Sequence, residues 1–193
     1  MKRIQELDDI IAQFDLNKHP FYVDWRMGTL PKEKLLDYSG EYGRFVGTIA
    51  KGWETLGEQH YADEERYHET LWQDFQAEVG FSRASDRPQT DTLETAANNL
   101  FGQKAEAAGA LYAFEAQQPI TSRTKLDGLV EHYSMSERGH EYFRVHADDL
   151  AEAELLRGRI EKMTDEDFAR TKTACALLCA AMWNALDGVY YAN

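Results

Sequence analysis

An all-α fold is predicted by three features of the chain. Apolar residues recur at spacings of three and four along nearly its whole length, no stretch alternates as a strand does, and only four of the 193 residues are proline. A chain of this length suits one domain, and its 43% hydrophobic and 12% aromatic content is enough to build a substantial core. No repeat, low-complexity segment or linker divides it. The expectation is a single domain over 1–193, a helical bundle of seven to eight helices.

The elements follow in order. A short amphipathic helix covers 3–14, and HPFYVDWRMG forms a second. Gly28 and Pro31 punctuate the chain there, with Pro31 suited to the first turn of a third helix. That helix carries Leu35, Tyr38, Tyr42, Phe45, Val46 and Ile49 on one stripe. The segment ADEERYHETLWQDFQAEVG is the next helix, ended by Gly80, and FSRASDRPQT (81–90) is a loop. Asp91 and Glu94 have the spacing of a capping box for a long helix reaching residue 117, which Pro119 breaks. Leu126, Leu129, Val130 and Tyr133 mark the following helix. Ser136 is placed to cap another that runs to Met163. Thr164 with Asp167 opens the last, through Cys175, Leu178, Met182, Leu186 and Val189.

Composition narrows the function. A net charge of −13 argues against nucleic acid or an anionic membrane surface as partner, because both demand basic patches. No apolar run approaches the roughly 18 residues of a membrane span. MKRIQELDDIIAQF places charges where a signal peptide has apolar residues, so a cytoplasmic protein is expected. Cys175 and Cys179, one turn apart in an oily segment, are expected to be buried free thiols.

The informative residues are polar ones on oily faces. Glu65 and His68 are three apart, and His68 shares its face with Leu71, Trp72, Phe75 and Val79. Glu64, a full turn before His68, is the alternative inward carboxylate. Glu115 shares a face with Ala97, Leu100, Ala108 and Leu111, and His146 is flanked by Tyr142, Phe143, Leu150 and Ala153. Lys125, one turn before Leu129, either faces in, pairs with Glu115 or snorkels outward. Buried ionisable groups are costly unless compensated. Two carboxylates and two imidazoles form an N/O ligand set for Fe(II) or Mn(II), and Glu-x-x-His on a helix is how carboxylate-bridged iron bundles supply ligands. Each residue also has a plainer reading as a hydrogen-bonded core group. His19 reads as a helix-start or packing residue, and His60, His132 and His140 as surface residues. Tyr42, Tyr112 and Trp183 are either core aromatics or the lining of a substrate cavity.

Five segments, HPFYVDWRMGTLPKEKLLDYSGEYGRFV, EERYHETLWQDF, LYAFEAQQPITSRTKLDGL, EYFRVHADDL and MWNALDGVYYA, resemble the heme-oxygenase-like helical superfamily. The similar branch holds the chlamydial death-domain-associating protein, the pyrroloquinoline-quinone synthase proteins and the thiaminase-II (TenA) proteins. The resemblance implies a heme-oxygenase-like bundle whose diiron members oxidise small molecules with O2, often as homodimers. It assigns Glu65 (or Glu64), His68, Glu115 and His146 as metal ligands. It assigns Lys125 as a proton donor, an anchor for a substrate carboxylate or, as in self-sacrificing relatives, a nitrogen source. Tyr42, with Tyr112 and Trp183, would line the pocket, and Arg144 and Arg44 would bind an acidic substrate. The third-helix pattern His-x-x-x-Asp-x-x-His is broken: its Asp position is Leu150 and its last His position is Ala153. Asp149 is the candidate substitute.

The expected function is thus a non-heme iron oxidase or oxygenase, with one metal or a degenerate pair. The alternatives are a metal-free oxidase of the quinone-synthase kind, a thiaminase-like hydrolase using a cysteine, and a binding protein that kept the fold, with no cofactor if the site has decayed.

Overall fold

Caps and breakers set where each helix starts and stops. The structure, a computed structural model, describes residues 2–81, 83 and 86–192, so part of the expected 81–90 loop (82, 84 and 85) lies outside the described residues. Its elements are α1 (Lys2–Gln13), a 3-10 turn (Leu16–Lys18), α2 (Pro20–Arg26), α3 (Lys32–Val46), α4 (Ile49–Leu56), α5 (Gln59–Val79), α6 (Pro88–Leu100), α7 (Lys104–Glu115), α8 (Gln118–His132), α9 (Glu137–His146), α10 (Ala151–Ile160) and α11 (Asp165–Tyr190). No strand occurs among the described residues.

Several starts follow the sequence signals. His19 caps α2, its Nδ1 accepting from the Phe21 amide at 3.1 Å, with Pro20 in the first turn. Thr164 caps α11 by accepting from the Asp167 amide, and Asp165, Glu166 and Asp167 complement the positive end of the helix dipole. Gly57 and Gly80, at φ of +79° and +82°, end α4 and α5 in the left-handed conformation.

Three of the expected helices are each broken in two. The stripe through Ile49 splits into α3 and α4 at Gly47–Thr48. The run from 91 to 117 starts earlier, at Pro88, and breaks at Phe101–Gln103. Phe101 buries its ring against Gly52, and the Thr55 hydroxyl donates to the Phe101 carbonyl at 2.7 Å. Asp91 and Glu94 cap nothing; they bind the Arg44 guanidinium, each at 2.6 Å. The run from Ser136 to Met163 breaks after His146. There Asp149 accepts from the Ala151 amide at 2.9 Å, a side-chain bond that competes with continued helix. Ser136 does not cap α9 with its side chain; it donates to Glu78 at 2.8 Å. Val130, expected inside, is 65% exposed.

Packing places the breaks around one interior. Helix α11 lies along α7 and α6, while α5 packs on α9, α4 and α3, and α8 packs on α9 and α2. Helix α10 rests on α7. Trp25, Trp53, Trp72, Phe75, Tyr142 and Phe143 fill the centre between them.

The α7–α11 contact sets the approach distance of the two halves. A Cβ at Gly109 would overlap the Thr171 backbone carbonyl, so the helices touch backbone to backbone. Gly109→Ala should lower stability by roughly 1–3 kcal/mol through overpacking, despite alanine's better helix propensity. Gly158→Ala, in an exposed part of α10 where the added Cβ meets nothing within 4 Å, should raise it by up to about 1 kcal/mol. Denaturant midpoints followed by circular dichroism check both. Equal effects would mean that the close α7–α11 approach is not a constraint.

Candidate metal centre

Helix α5 supplies Glu65 and His68 from one face, and α9 supplies His146 from its last turn. Glu65 and His146 are buried, and the His68 side chain keeps only 12% of its surface. One ligand atom from each of the three lies within 4.8 Å of the others. His68 Nδ1 stands 3.4 Å from Glu65 Oε1, and the two imidazole rings are 4.3 Å apart, edge to face.

The state of His146 is fixed by its surroundings. Its Nδ1 sits 2.6 Å from the Tyr142 carbonyl, which only accepts, so Nδ1 carries the proton and Nε2 the lone pair. Nε2 is buried with no hydrogen-bond partner among the described residues. Burial, then repulsion from His68, pushes the pKa of His146 down to about 3, so the ring is neutral at pH 7. A neutral imidazole held by a carbonyl at one nitrogen and open at the other is the usual form of a metal-binding histidine. Burial pulls the pKa of His68 down, but Glu65, Glu152 and Glu64 outweigh it and leave it raised.

Glu115, at the end of α7, also faces this interior and is 3% exposed. Its Oε1 accepts no hydrogen bond from a described residue, and burial first, then Glu152 and Glu65, holds its pKa well above the ordinary range. It stands outside the 4.8 Å set but beside it. Glu152, not anticipated from sequence, joins the same group: it is 5% exposed, and burial, Glu65 and Asp149 raise its pKa. The signal for it was present, because Glu152 shares a stripe with Leu156 and Ile160. The family's third-helix pattern directed attention to Leu150 and Ala153 instead.

The alternates are placed differently. Glu64 is 44% exposed and pairs with His60 at 3.4 Å, so Glu65 is the inward carboxylate. Asp149 is exposed and holds the α10 start. Leu150 points to solvent at 56% exposure.

Lys125, on α8, is 1% exposed. Its Nζ donates to the Tyr38 hydroxyl at 3.5 Å and lies 5.2 Å from the ring centres of both Tyr22 and Tyr42. Burial lowers its pKa to about 7. It neither snorkels outward nor pairs with Glu115; aromatic faces surround it instead. Tyr42 stacks on Tyr38 at 5.0 Å and lines a mainly apolar cavity with Tyr22, Tyr38, Leu93 and Met182.

Four expected substrate contacts are committed elsewhere. The Tyr112 hydroxyl donates to Asp8 at 2.6 Å and accepts from Arg157, toward α1 and α10. Arg144 lies on the surface, paired with Glu137 and Glu141. Arg44 is spent on Asp91 and Glu94. Trp183 packs edge-on against His19 at 4.7 Å. His140, expected on the surface, is buried with both nitrogens unpartnered. Cys175 and Cys179 are buried free thiols, and their mutual contact, then burial, raises the Cys175 pKa.

Comparison with known proteins bears on this constellation. The family model described as iron-containing redox enzyme matches residues 48–185. A 4-aminobenzoate synthase of Nitrosomonas europaea is 30% identical, the match covering 96% of this chain and 90% of the relative. A 4-aminobenzoate synthase of Chlamydia muridarum is 25% identical over 97% and 89%. Among solved structures, a TenA homologue from Pseudomonas syringae superposes with a TM-score of 0.76 at 17% identity, covering 97% of this chain and 90% of that one. A CADD-like protein from Nostoc punctiforme gives 0.61 at 20% identity, covering 96% and 97%. These two structures share the fold. With the matched model spanning well over half its length, the chain belongs to the iron-containing redox enzyme family, on the heme-oxygenase-like fold.

Proposed function

We propose that this protein is a non-heme iron enzyme that uses O2 to oxidise a small aromatic molecule, with 4-aminobenzoate, the product named for its relatives, as the leading product. The observation that carries this reading is the preformed Glu65–His68–His146 set, with a lone pair on His146 Nε2 that nothing else uses. The donor set fits iron or manganese: hard carboxylate oxygens with neutral imidazole nitrogens. Glu65, His68, His146 and Glu115 would hold the metal, and when bound it would supply the redox chemistry with O2.

The rest of the work falls to the chain. His146 keeps its proton on Nδ1, and His68 Nδ1 stands within hydrogen-bond reach of Glu65 Oε1. Aromatic rings around Lys125 exclude water and keep a fraction of its amine neutral near pH 7. A neutral amine among tyrosine rings is suited to give nitrogen to an aromatic product, or a proton to a reacting oxygen. O2 and a small molecule are the partners in this reading, with a homodimer as the assembly. Among the described residues no helix is long and apolar enough to cross a membrane.

Other chemistries are less well supported. A metal-free oxidase has no use for unpartnered inward carboxylates. A cysteine hydrolase requires a thiolate, which the contact with Cys179 and burial both disfavour at Cys175. A binding protein that had lost its site would have no reason to keep the lone pair of His146 open toward Glu65.

Metal content by plasma mass spectrometry, after anaerobic Fe(II) loading and desalting, tests the reading. At least about one tightly held iron per chain is expected, and His68→Ala and Glu115→Ala should each lose most of it while keeping their helical circular dichroism. Unchanged iron in both variants would refute the assignment.

Lys125→Met tests the amine. The folded pKa of Lys125 lies below its ordinary value of 10.5, so between about 7 and 10.5 the unfolded chain binds more protons there than the fold does. Its cost to stability is therefore greatest at and below pH 7 and fades as pH rises toward 10.5. The methionine variant should be stabilised more at pH 7 than at pH 10, should still bind iron, and should form no 4-aminobenzoate. Chemical-denaturation midpoints at the two pH values, with product detection by chromatography, check this.

A further inference from the structure

Helices α2, α3, α6 and α11 meet around the apolar cavity that Tyr42 lines. Leu93 of α6 with Met182 and Leu186 of α11 forms one wall, and the rings of Tyr22, Tyr38 and Tyr42 form the other. All of these but Tyr42 are less than 5% exposed, so the space lies inside the molecule. Its volume, as traced by the centre of a water-sized sphere, is about 20 Å³, which is room for one small molecule.

The lining offers little to a polar occupant. The Tyr22 and Tyr38 hydroxyls bond each other at 2.9 Å, and Glu41 accepts from the Arg87 amide at 3.2 Å. Thr90 Oγ1 is the one buried polar side-chain atom of the lining without a hydrogen-bond partner among the described residues. An ordered buried water uses roughly two to four polar partners, so water is poorly held here. A charged molecule would lose its hydration and find nothing to replace it. Cavities of this kind take up small apolar molecules instead.

The cavity also stands close to the chemistry. The three tyrosine rings on its inner wall are the ones that lie around the Lys125 amine. Tyr42 packs on Trp72 at 5.0 Å between ring centres, Trp72 on Tyr142 at 4.8 Å, and Tyr142 on the His146 imidazole at 4.4 Å. A short run of ring contacts thus joins the cavity to the metal centre.

We propose that this cavity holds dioxygen on its way to the metal centre, with Leu93, Met182, Leu186 and the tyrosine rings as its binding surface. This rests on the O2-using reading above. Dioxygen is uncharged and makes no strong hydrogen bond, so it gains by leaving water for an apolar site. Local movement of Tyr42 and Tyr142 would pass it inward to His146.

Xenon, a dense apolar gas, is the probe. Crystals of the full chain held under xenon pressure should show an anomalous peak between Leu93, Met182 and Tyr42. Ala185→Leu and Leu93→Phe, each of which fills the cavity, should lose that peak, and circular dichroism shows that each is folded. After anaerobic Fe(II) loading the same variants should bind as much iron as wild type, yet react with O2 with a second-order rate constant lower by at least about threefold. Leu177→Phe, on the exposed face of α11, should match wild type in both measurements. No xenon in the wild-type cavity, xenon retained by both filled variants, or filled variants that lose xenon and still react with O2 as fast as wild type would each overturn the proposal while leaving the metal-centre reading standing. Iron-loaded wild type that does not react with O2 would overturn that reading, and the proposal with it.

Discussion

Glu65, Glu115 and Glu152 carry three carboxylates into an interior built mainly from aromatic rings and alanines, and among the described residues none of them has an arginine or lysine as a salt-bridge partner. Carboxylates buried this way repel one another and lose their hydration. A fold that keeps them must recover that cost through protonation or through a bound cation. Much of the local architecture makes sense on the second account. Tyr142 orients the imidazole of His146, its neutral state leaves a lone pair on the inner nitrogen, and Glu65 steadies His68.

The scaffold around this centre is rigid where it needs to be. Helix α7 must lie close enough to α11 for backbones to touch at Gly109, which fixes the base from which Glu115 projects. Helix α5, 21 residues long and ended by Gly80, holds Glu65 and His68 on one face between α4 and α9. On α8, Lys125 sits in a cage of Tyr22, Tyr42 and Phe143. Its charge adds, after burial and His68, to the downward push on the pKa of His146.

The sequence revealed the parts of the site that depend on local periodicity. Glu65 with His68, Glu115, His146 and Lys125 all sit inward as their helix faces require, and the all-α class follows from the same pattern. Events at helix ends were not legible in the same way. Asp149 looked like a ligand one residue out of place, yet its side chain is used to start α10. Glu152 was overlooked because the family pattern places its ligands at Leu150 and Ala153, on either side of it. Arg44, Arg144 and Tyr112 looked available for substrate, but their partners come from residues distant in the chain or from exposed neighbours that periodicity does not rank. His140 was read as a surface residue although it shares a face with Phe143 and Ala147, and it is buried where α9 packs on α5.

The central claim is that the inward glutamates and histidines exist to hold metal. Anomalous diffraction from crystals soaked in Mn(II), collected near the manganese edge, tests it most directly. The account predicts a strong peak next to His146 Nε2 and the Glu65 carboxylate. Soaked crystals with no anomalous density there, and with His146 Nε2 bonded instead to a protein group or a water, would contradict it.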